Sequence, residues 1–264
     1  FDEFMHRPLE VPFKRMTWHE AMERFGSDKP DTRFALELCN ISDEVRSCGF
    51  GVFANCVAAG GSVRGINVPG GAKMSRKEID SLVEFVKTYG AKGLAWYKNA
   101  PEGASSSFAK FLTEDETAAV LKKLGCGAGD LALIVADKNK VVFDSLGALR
   151  CEVAKRLGMI DRSKFNFLWI TEFPLFEYDE EEGRYYAMHH PFTMPMEEDM
   201  DKIDTDPGAV RARAYDIVLN GTEIGGGSIR IHTTERQKQM FHTLGIDDET
   251  ANEKFGYLLE AFKY

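Results

Sequence analysis

The sequence predicts an α+β protein in two parts, and three observations carry that prediction. Up to about residue 155, helices announced by capping boxes alternate with short apolar strands. From 165 the texture changes to brief extended runs separated by tight turns. Late in the chain an Asn-Gly pair flanked by extended segments marks a hairpin. Two strands and a helix, repeated, make a two-layer α+β arrangement; the later half reads as antiparallel sheet with helices on one side.

Taken in order, Thr17-Trp18-His19-Glu20 is a capping box, in which hydroxyl and carboxylate each satisfy an orphan helix N–H. That helix is predicted to end near Gly26, and Ser27-Asp28-Lys29-Pro30-Asp31 is breaker chemistry that marks a boundary. Val63 to Val68 reads as a strand closed by Pro69-Gly70-Gly71. Ser75 and Glu78 form a second capping box, opening a helix whose Ile79, Leu82, Val83 and Val86 follow i, i+3, i+4, i+7. Gly90 supplies its end. Leu94 to Tyr97 is a strand, and Thr113 to Glu116 caps a third helix that stops at Gly125. Leu131 to Ala136 and Val141 to Phe143 read as a hairpin around Asp137 to Lys140, followed by a helix from about Leu146 to Leu157.

In the second half, Phe167 to Ile170 is a strand and Phe173 to Phe176 a short extended piece. Asp179 to Gly183 is an acidic turn, with Arg184 to His190 returning as its partner. Residues 195–209, with Pro195 and Pro207, are predicted to be loop. Arg213 to Leu219 and Thr222 to Ile231 flank Asn220-Gly221. Two helices finish the chain, from about Glu235 to Leu244 and from about Glu249 to Tyr264, which still reads as helix. There is no internal repeat and no low-complexity tract.

The 264 residues leave room for two domains at about 150 residues each. A composition 44% hydrophobic and 28% charged excludes disorder, collagen and a disulfide-stapled miniprotein. With Lys+Arg 33 against Asp+Glu 42, the net charge of -9 argues against binding nucleic acid over the whole surface, though not against a local basic patch. No stretch approaches the ~18 apolar residues of a membrane span. Cys39, Cys48, Cys56, Cys126 and Cys151 form no Cys-x-x-Cys pair, which points to reduced thiols in a cytoplasmic protein. A first residue that is Phe, no signal peptide and a helix running to Tyr264 predict a piece of a longer chain.

Three constellations could carry chemistry. Asp216 and Glu223 flank the Asn-Gly turn; with a two-residue loop they share a face one diagonal step apart, roughly 7–8 Å. That is room for a Mg²⁺ or its waters, and the same pattern also fits a solvated sheet face. Gly225-Gly226-Gly227-Ser228 interrupts a strand pattern, which calls for a bulge or for close approach of a ligand to bare backbone. A single bulge at the glycines would bring Arg230 round to the face of Glu223, where its fork suits a carboxylate or phosphate; a surface Arg on a flexible bulge is the other reading. His189 and His190, adjacent on an expected strand, face opposite ways and cannot form a metal pair, so one could face a site while the other packs. No Ser/His/Asp or Cys/His signature supports a hydrolase.

Together these residues resemble the bacterial-type aspartyl-tRNA synthetases, class II enzymes. The resemblance runs along essentially the whole chain. It is carried by Pro12 to Thr17 with Gly26 to Asp31, Gly93 to Trp96, Phe165 to Trp169, His189 to Thr193, and Arg213 to Asp216 through Arg230 to His232. It implies three segments: 1–29, catalytic domain after motif 2; 30–155, the GAD insertion domain; and 156–264, catalytic domain before motif 3. It implies that His189 and Arg230 contact L-aspartate, that Glu223 binds ATP, and that Asp216 and Glu223 hold Mg²⁺. Gly226, Gly227, Ser228 and His190 would line the pocket. The implied partners are aspartate tRNA, L-aspartate and ATP, in a protein that is a homodimer at full length, with no membrane. The motif 1, motif 2 and motif 3 elements and the anticodon-binding barrel are missing, so the segment is expected to be inactive alone. A competing reading is a GAD-type module that binds tRNA or protein in a tRNA-dependent amidotransferase, without catalysis.

Overall fold

The computed structural model describes residues 2–6 and 8–261; Tyr264, the expected end of the last helix, lies outside the described residues. In chain order come helix α1 (Asp2–Met5), strand β1 (Lys14–Thr17), helix α2 (Trp18–Phe25), strand β2 (Cys39–Asn40), helices α3 (Ser42–Val45) and α4 (Gly51–Ala58), and strand β3 (Ser62–Val68). Helix α5 (Arg76–Lys87), strands β4 (Ala95–Ala100) and β5 (Gly103–Ser106), helix α6 (Glu114–Leu124), strand β6 (Leu131–Asp137) and helix α7 (Asn139–Arg156) follow. Then come strands β7 (Phe167–Thr171), β8 (Phe176–Asp179), β9 (Arg184–Ala187), β10 (Ala214–Leu219) and β11 (Thr222–Ser228), and helices α8 (Thr234–Thr243) and α9 (Asp248–Ala261). The fold is α+β. Its residues group into two units: Glu20–Asn166 with Asn220–Thr222, and Phe1–His19 with Phe167–Leu219 and Glu223–Tyr264. No described helix is long and apolar enough to cross a membrane.

In the unit formed by residues 20–166, five strands run in the order β2-β3-β6-β4-β5, every pair antiparallel. Alternation along β6 sends Leu131, Leu133 and Val135 into a core built with α5 and α7. Ala132 and Ile134 go to a second core with Val45 of α3, Phe53 of α4, and Val120 and Leu124 of α6. Helices therefore cover both faces, and the two layers expected from the sequence are three. The capping boxes predicted at Ser75 and Thr113 form: Ser75 accepts from Glu78 N–H while Glu78 accepts from Ser75 N–H at 2.7 Å, and Thr113 with Glu116 repeats the motif. Gly125 ends α6 at φ 66°, a conformation that costs glycine nothing.

The predicted hairpin at 131–143 does not exist. Val141, Val142 and Phe143 lie in α7, which begins at Asn139 rather than near Leu146. The β-branched pair read as strand, but Val142 starts a buried stripe continued by Leu146, Leu149 and Val153, and packing that stripe against β3 and β6 outweighs local propensity. Gly147 lets α7 approach α2 closely, because a Cβ there would strike the carbonyl oxygen of Gly26.

In the other unit the sheet runs β1-β7-β10-β11. It is mixed rather than purely antiparallel: β1 pairs with β7 in parallel, Lys14 beside Leu168, whereas β10 runs antiparallel to β7, Asp216 opposite Ile170. The acidic turn is in place, with Gly183 at φ 66° joining β8 to β9. Strand β9 stops at Ala187, so it does not carry the histidines. Residues 195–209 include 3-10 turns at Glu197–Lys202 and Pro207–Ala209.

Candidate active site

The Asn-Gly turn has the backbone its sequence demands, with Asn220 at φ 52° and Gly221 at φ 85°, both left-handed as in a type I′ hairpin. A two-residue loop would carry Asp216 opposite Gly225. Instead, a Cβ on Gly226 would fall onto the Asp216 carboxylate, while one on Gly225 would meet Ile217 Cγ2 at 3.6 Å. Strand β11 has thus gained one residue on β10 between the turn and the glycines. The extra residue expected at the glycines lies ahead of them, and the diagonal spacing of Asp216 and Glu223, which assumed an unbroken register, does not follow. Asp216 is buried on β10 and Glu223 exposed on β11.

The glycines have a packing reason. Gly226 makes space for the Asp216 carboxylate, and a Cβ on Gly227 would stand 3.1 Å from the Tyr215 hydroxyl oxygen. Side chains of β10 use the room on both faces of β11.

Ser228 ends β11, and Arg230 pairs with Thr193 in an antiparallel bridge. Arg230 Nη1 donates to Ser228 Oγ. Ser228 Oγ lies 3.4 Å from Thr193 Oγ1, which is 3.4 Å from His190 Nδ1. The structure therefore brings His190, Thr193, Ser228 and Arg230 together; Thr193 carried no role in the sequence reading. Burial, and then the charges of Arg230 and His189, hold His190 below the ordinary imidazole pKa. His189 is exposed, its ring edge-on to buried Phe173 at 4.9 Å. Because β9 ends before them, strand alternation does not set the direction of the two histidines. Among the described residues, no group of three or more His, Cys, Asp or Glu could hold a metal ion unaided.

Residues 1–264 match the family described as tRNA synthetases class II (D, K and N). The chain belongs to that family. It is 61% identical over 265 residues to an aspartate–tRNA ligase of Agathobacter rectalis, covering 100% of this chain and 44% of that protein. A Ruminiclostridium cellulolyticum aspartate–tRNA ligase is also 61% identical, with 100% of this chain and 45% of that protein covered. An aspartate–tRNA(Asp/Asn) ligase of Lachnoclostridium phytofermentans is 57% identical, again over 100% of this chain and 44% of the relative. The chain thus spans less than half the length of these curated relatives.

This class II chain also holds a brace that sequence reasoning missed, because Asp199 sits in what reads as polar loop. Asp199 is 1% exposed and accepts from Arg211 Nε at 2.7 Å, Arg211 N–H at 3.1 Å and Lys202 Nζ at 2.6 Å. Arg211 reaches on to Glu172 at 2.7 Å, tying the 3-10 turn to the end of β7. The Arg211 hydrogen bond, foremost, holds the Asp199 carboxyl far below the usual range. A depressed folded-state pKa contributes stability above the unfolded value of about 3.9, lost only as pH falls through the folded value. Asp199→Asn is expected to cost about 2–3 kcal/mol at pH 7, since the heads of Arg211 and Lys202 are partly exposed. Urea unfolding of both forms from pH 8 to 3 should show a constant gap down to about pH 5 and a narrowing one below it. A gap that narrows between pH 8 and 6 would mean that another group carries the effect.

Proposed function

We propose that this segment supplies the aspartate-selecting part of an aspartate–tRNA ligase, in a longer cytoplasmic protein that acts as a homodimer. The observation that carries the reading is Arg230: a guanidinium fixed by Ser228, next to His190, in a class II chain 61% identical to aspartate–tRNA ligases. Arg230 pairs with the side-chain carboxylate of L-aspartate, and a site built around that cation rejects neutral analogues, which leave it unpaired. His189 contacts the amino acid. Gly226, Gly227, Ser228 and His190 line the pocket.

In the first step an oxygen of the aspartate α-carboxylate attacks the α-phosphorus of ATP. The bond to the bridging oxygen breaks, leaving aspartyl-adenylate and pyrophosphate. The aspartyl group then passes to the terminal ribose of aspartate tRNA, releasing AMP. Asp216 and Glu223 fit a Mg²⁺ site as a donor set, because this ion takes one or two carboxylates and fills its other positions with water and phosphate oxygens. Bound there with ATP, Mg²⁺ would neutralise phosphate charge. Gly226 leaves the Asp216 carboxylate the room it occupies. Residues 30–155 are the GAD insertion domain in this reading. The alternative, a non-catalytic module of a tRNA-dependent amidotransferase, has no account of a class II match running through both units.

The test is ATP–pyrophosphate exchange. Protein of the relatives' full length carrying this segment should exchange with L-aspartate and not with L-asparagine or L-lysine; exchange driven by either of those would overturn the assignment. The 264-residue chain alone, at about 44% of that length, is expected to give none above background. Exchange by the chain alone would show that it holds a complete pocket.

A further inference from the structure

Arg230 is exposed, yet its guanidinium is tethered rather than free. Nη1 donates to Ser228 Oγ and, at 3.4 Å, to the Ser228 carbonyl. Behind Ser228 stands Thr193, 1% exposed, and its own N–H donates to the His190 carbonyl at 3.2 Å. Four side chains from two chain segments thus form one polar row ending at His190 Nδ1.

One donor assignment satisfies every contact of that row. Arginine has no acceptor, so Ser228 Oγ must accept, leaving the serine hydrogen for Thr193 Oγ1. Thr193 then donates to His190 Nδ1. The same nitrogen takes the Phe192 N–H at 3.2 Å, so it is the unprotonated nitrogen and the neutral ring carries its hydrogen on Nε2. Every donor points away from Arg230, and each bond polarises the next. The lowered pKa of His190 agrees with a ring kept neutral.

We propose that Thr193 and Ser228 are positioning residues: by fixing the Arg230 guanidinium at one end and the His190 tautomer at the other, they present Arg230 to the substrate carboxylate already oriented. This rests on the reading of Arg230 given above. The effect of both hydroxyls is exerted through Arg230 and His190, the groups they hold.

Thr193→Val tests it, because Val keeps the branched shape and volume of a buried side chain and removes only the hydroxyl. In the full-length synthetase, KM for aspartate should rise about two- to twelvefold, the worth of one hydrogen bond, with KM for ATP unchanged. Thr193→Ser should restore it. In ¹⁵N spectra of the histidine side chains, wild type should show His190 protonated at Nε2, and Thr193→Val a mixture of tautomers. Should Thr193→Val fail to fold, Ser228→Ala at the strand end makes the same test. Unchanged aspartate KM and an unchanged His190 tautomer, while Arg230→Ala still abolishes aspartate use, would overturn the proposal. If Arg230→Ala leaves aspartate use intact, the reading of Arg230 itself has failed and the orienting role falls with it.

Discussion

Arg150→Met is expected to cost the unit of residues 20–166 about 3–5 kcal/mol, a larger loss than almost any surface change produces. Arg150 lies on α7 at 1% exposure. Its guanidinium donates to the carbonyls of Asp31, Ala35 and Leu36 at 3.1 Å and of Phe34 at 3.4 Å. It also lies against the rings of Phe25 and Phe34, 4.9 and 4.3 Å from their centres. The Asp31 carboxylate pairs directly with Arg33, so the hydrogen bonds of Arg150 in this loop go to carbonyl oxygens. Burial lowers its pKa, against the opposing pull of nearby negative charges, Asp31 and Glu37 among them. Residues 34–36 form no helix or strand, and all three of their carbonyls accept from this one side chain. Met fills the volume and accepts nothing from the peptide oxygens, and each buried carbonyl left without a donor costs about 1–3 kcal/mol, less whatever the loop relaxes. Arg150→Lys should recover only part of the loss, since a point ammonium cannot span four carbonyls in a plane. Urea unfolding of wild type and both variants is the measurement. A loss below about 1 kcal/mol for Met would mean that burying the guanidinium costs as much as its bonds return.

Features that the sequence made legible are those decided within a few residues. The capping boxes at Ser75 and Thr113, the glycine stop at Gly125 and the Asn220-Gly221 turn are local bargains between a side chain and its own backbone, and all four are present. What local pattern misplaced was decided across the chain. Val141 and Val142 favour a strand in isolation, yet the two strands that flank β6 are β3 and β4, and the valines go to a helix. The parallel pairing of β1 with β7 joins residues more than 150 positions apart, which no periodicity in four residues could announce. Arg150 reads as one more charge on a helix because the carbonyls it satisfies lie 114–119 positions away.

The candidate site divides along the same line. Arg230, Ser228 and the histidines stand out by type, and the structure gathers His190, Ser228 and Arg230. Thr193, the buried link between them, is an ordinary residue in sequence. The triple glycine signalled a close approach, but the approaching groups are Asp216 and Tyr215 of the neighbouring strand. A one-residue slip in β11, invisible to an argument from alternation, is what sets which side chains those glycines meet.

Arg230→Lys, in the full-length synthetase, is expected to lower kcat/KM for aspartate by about tenfold to a hundredfold while leaving KM for ATP close to wild type. Lysine keeps the charge and loses the planar fork, so the bidentate pair proposed above with the substrate carboxylate becomes a single contact. One hydrogen bond to a charged group is worth roughly 1.5–3 kcal/mol, which is the stated range when read as a transition-state loss. The structure sharpens the expectation. One nitrogen of Arg230 is already committed to Ser228, and the remaining donors of the fork are those left for substrate. A lysine must choose between the serine and the carboxylate, so the substitution should both weaken the contact and release the group that orients it. Steady-state constants for aspartate and ATP, measured side by side on wild type and variant, separate the outcomes. A surface arginine on a glycine-rich strand end would cost less than about 0.5 kcal/mol and leave both constants alone. Equal losses for the two substrates would point to damage along β11 rather than to a lost carboxylate contact, and no loss for either would remove Arg230 from the site.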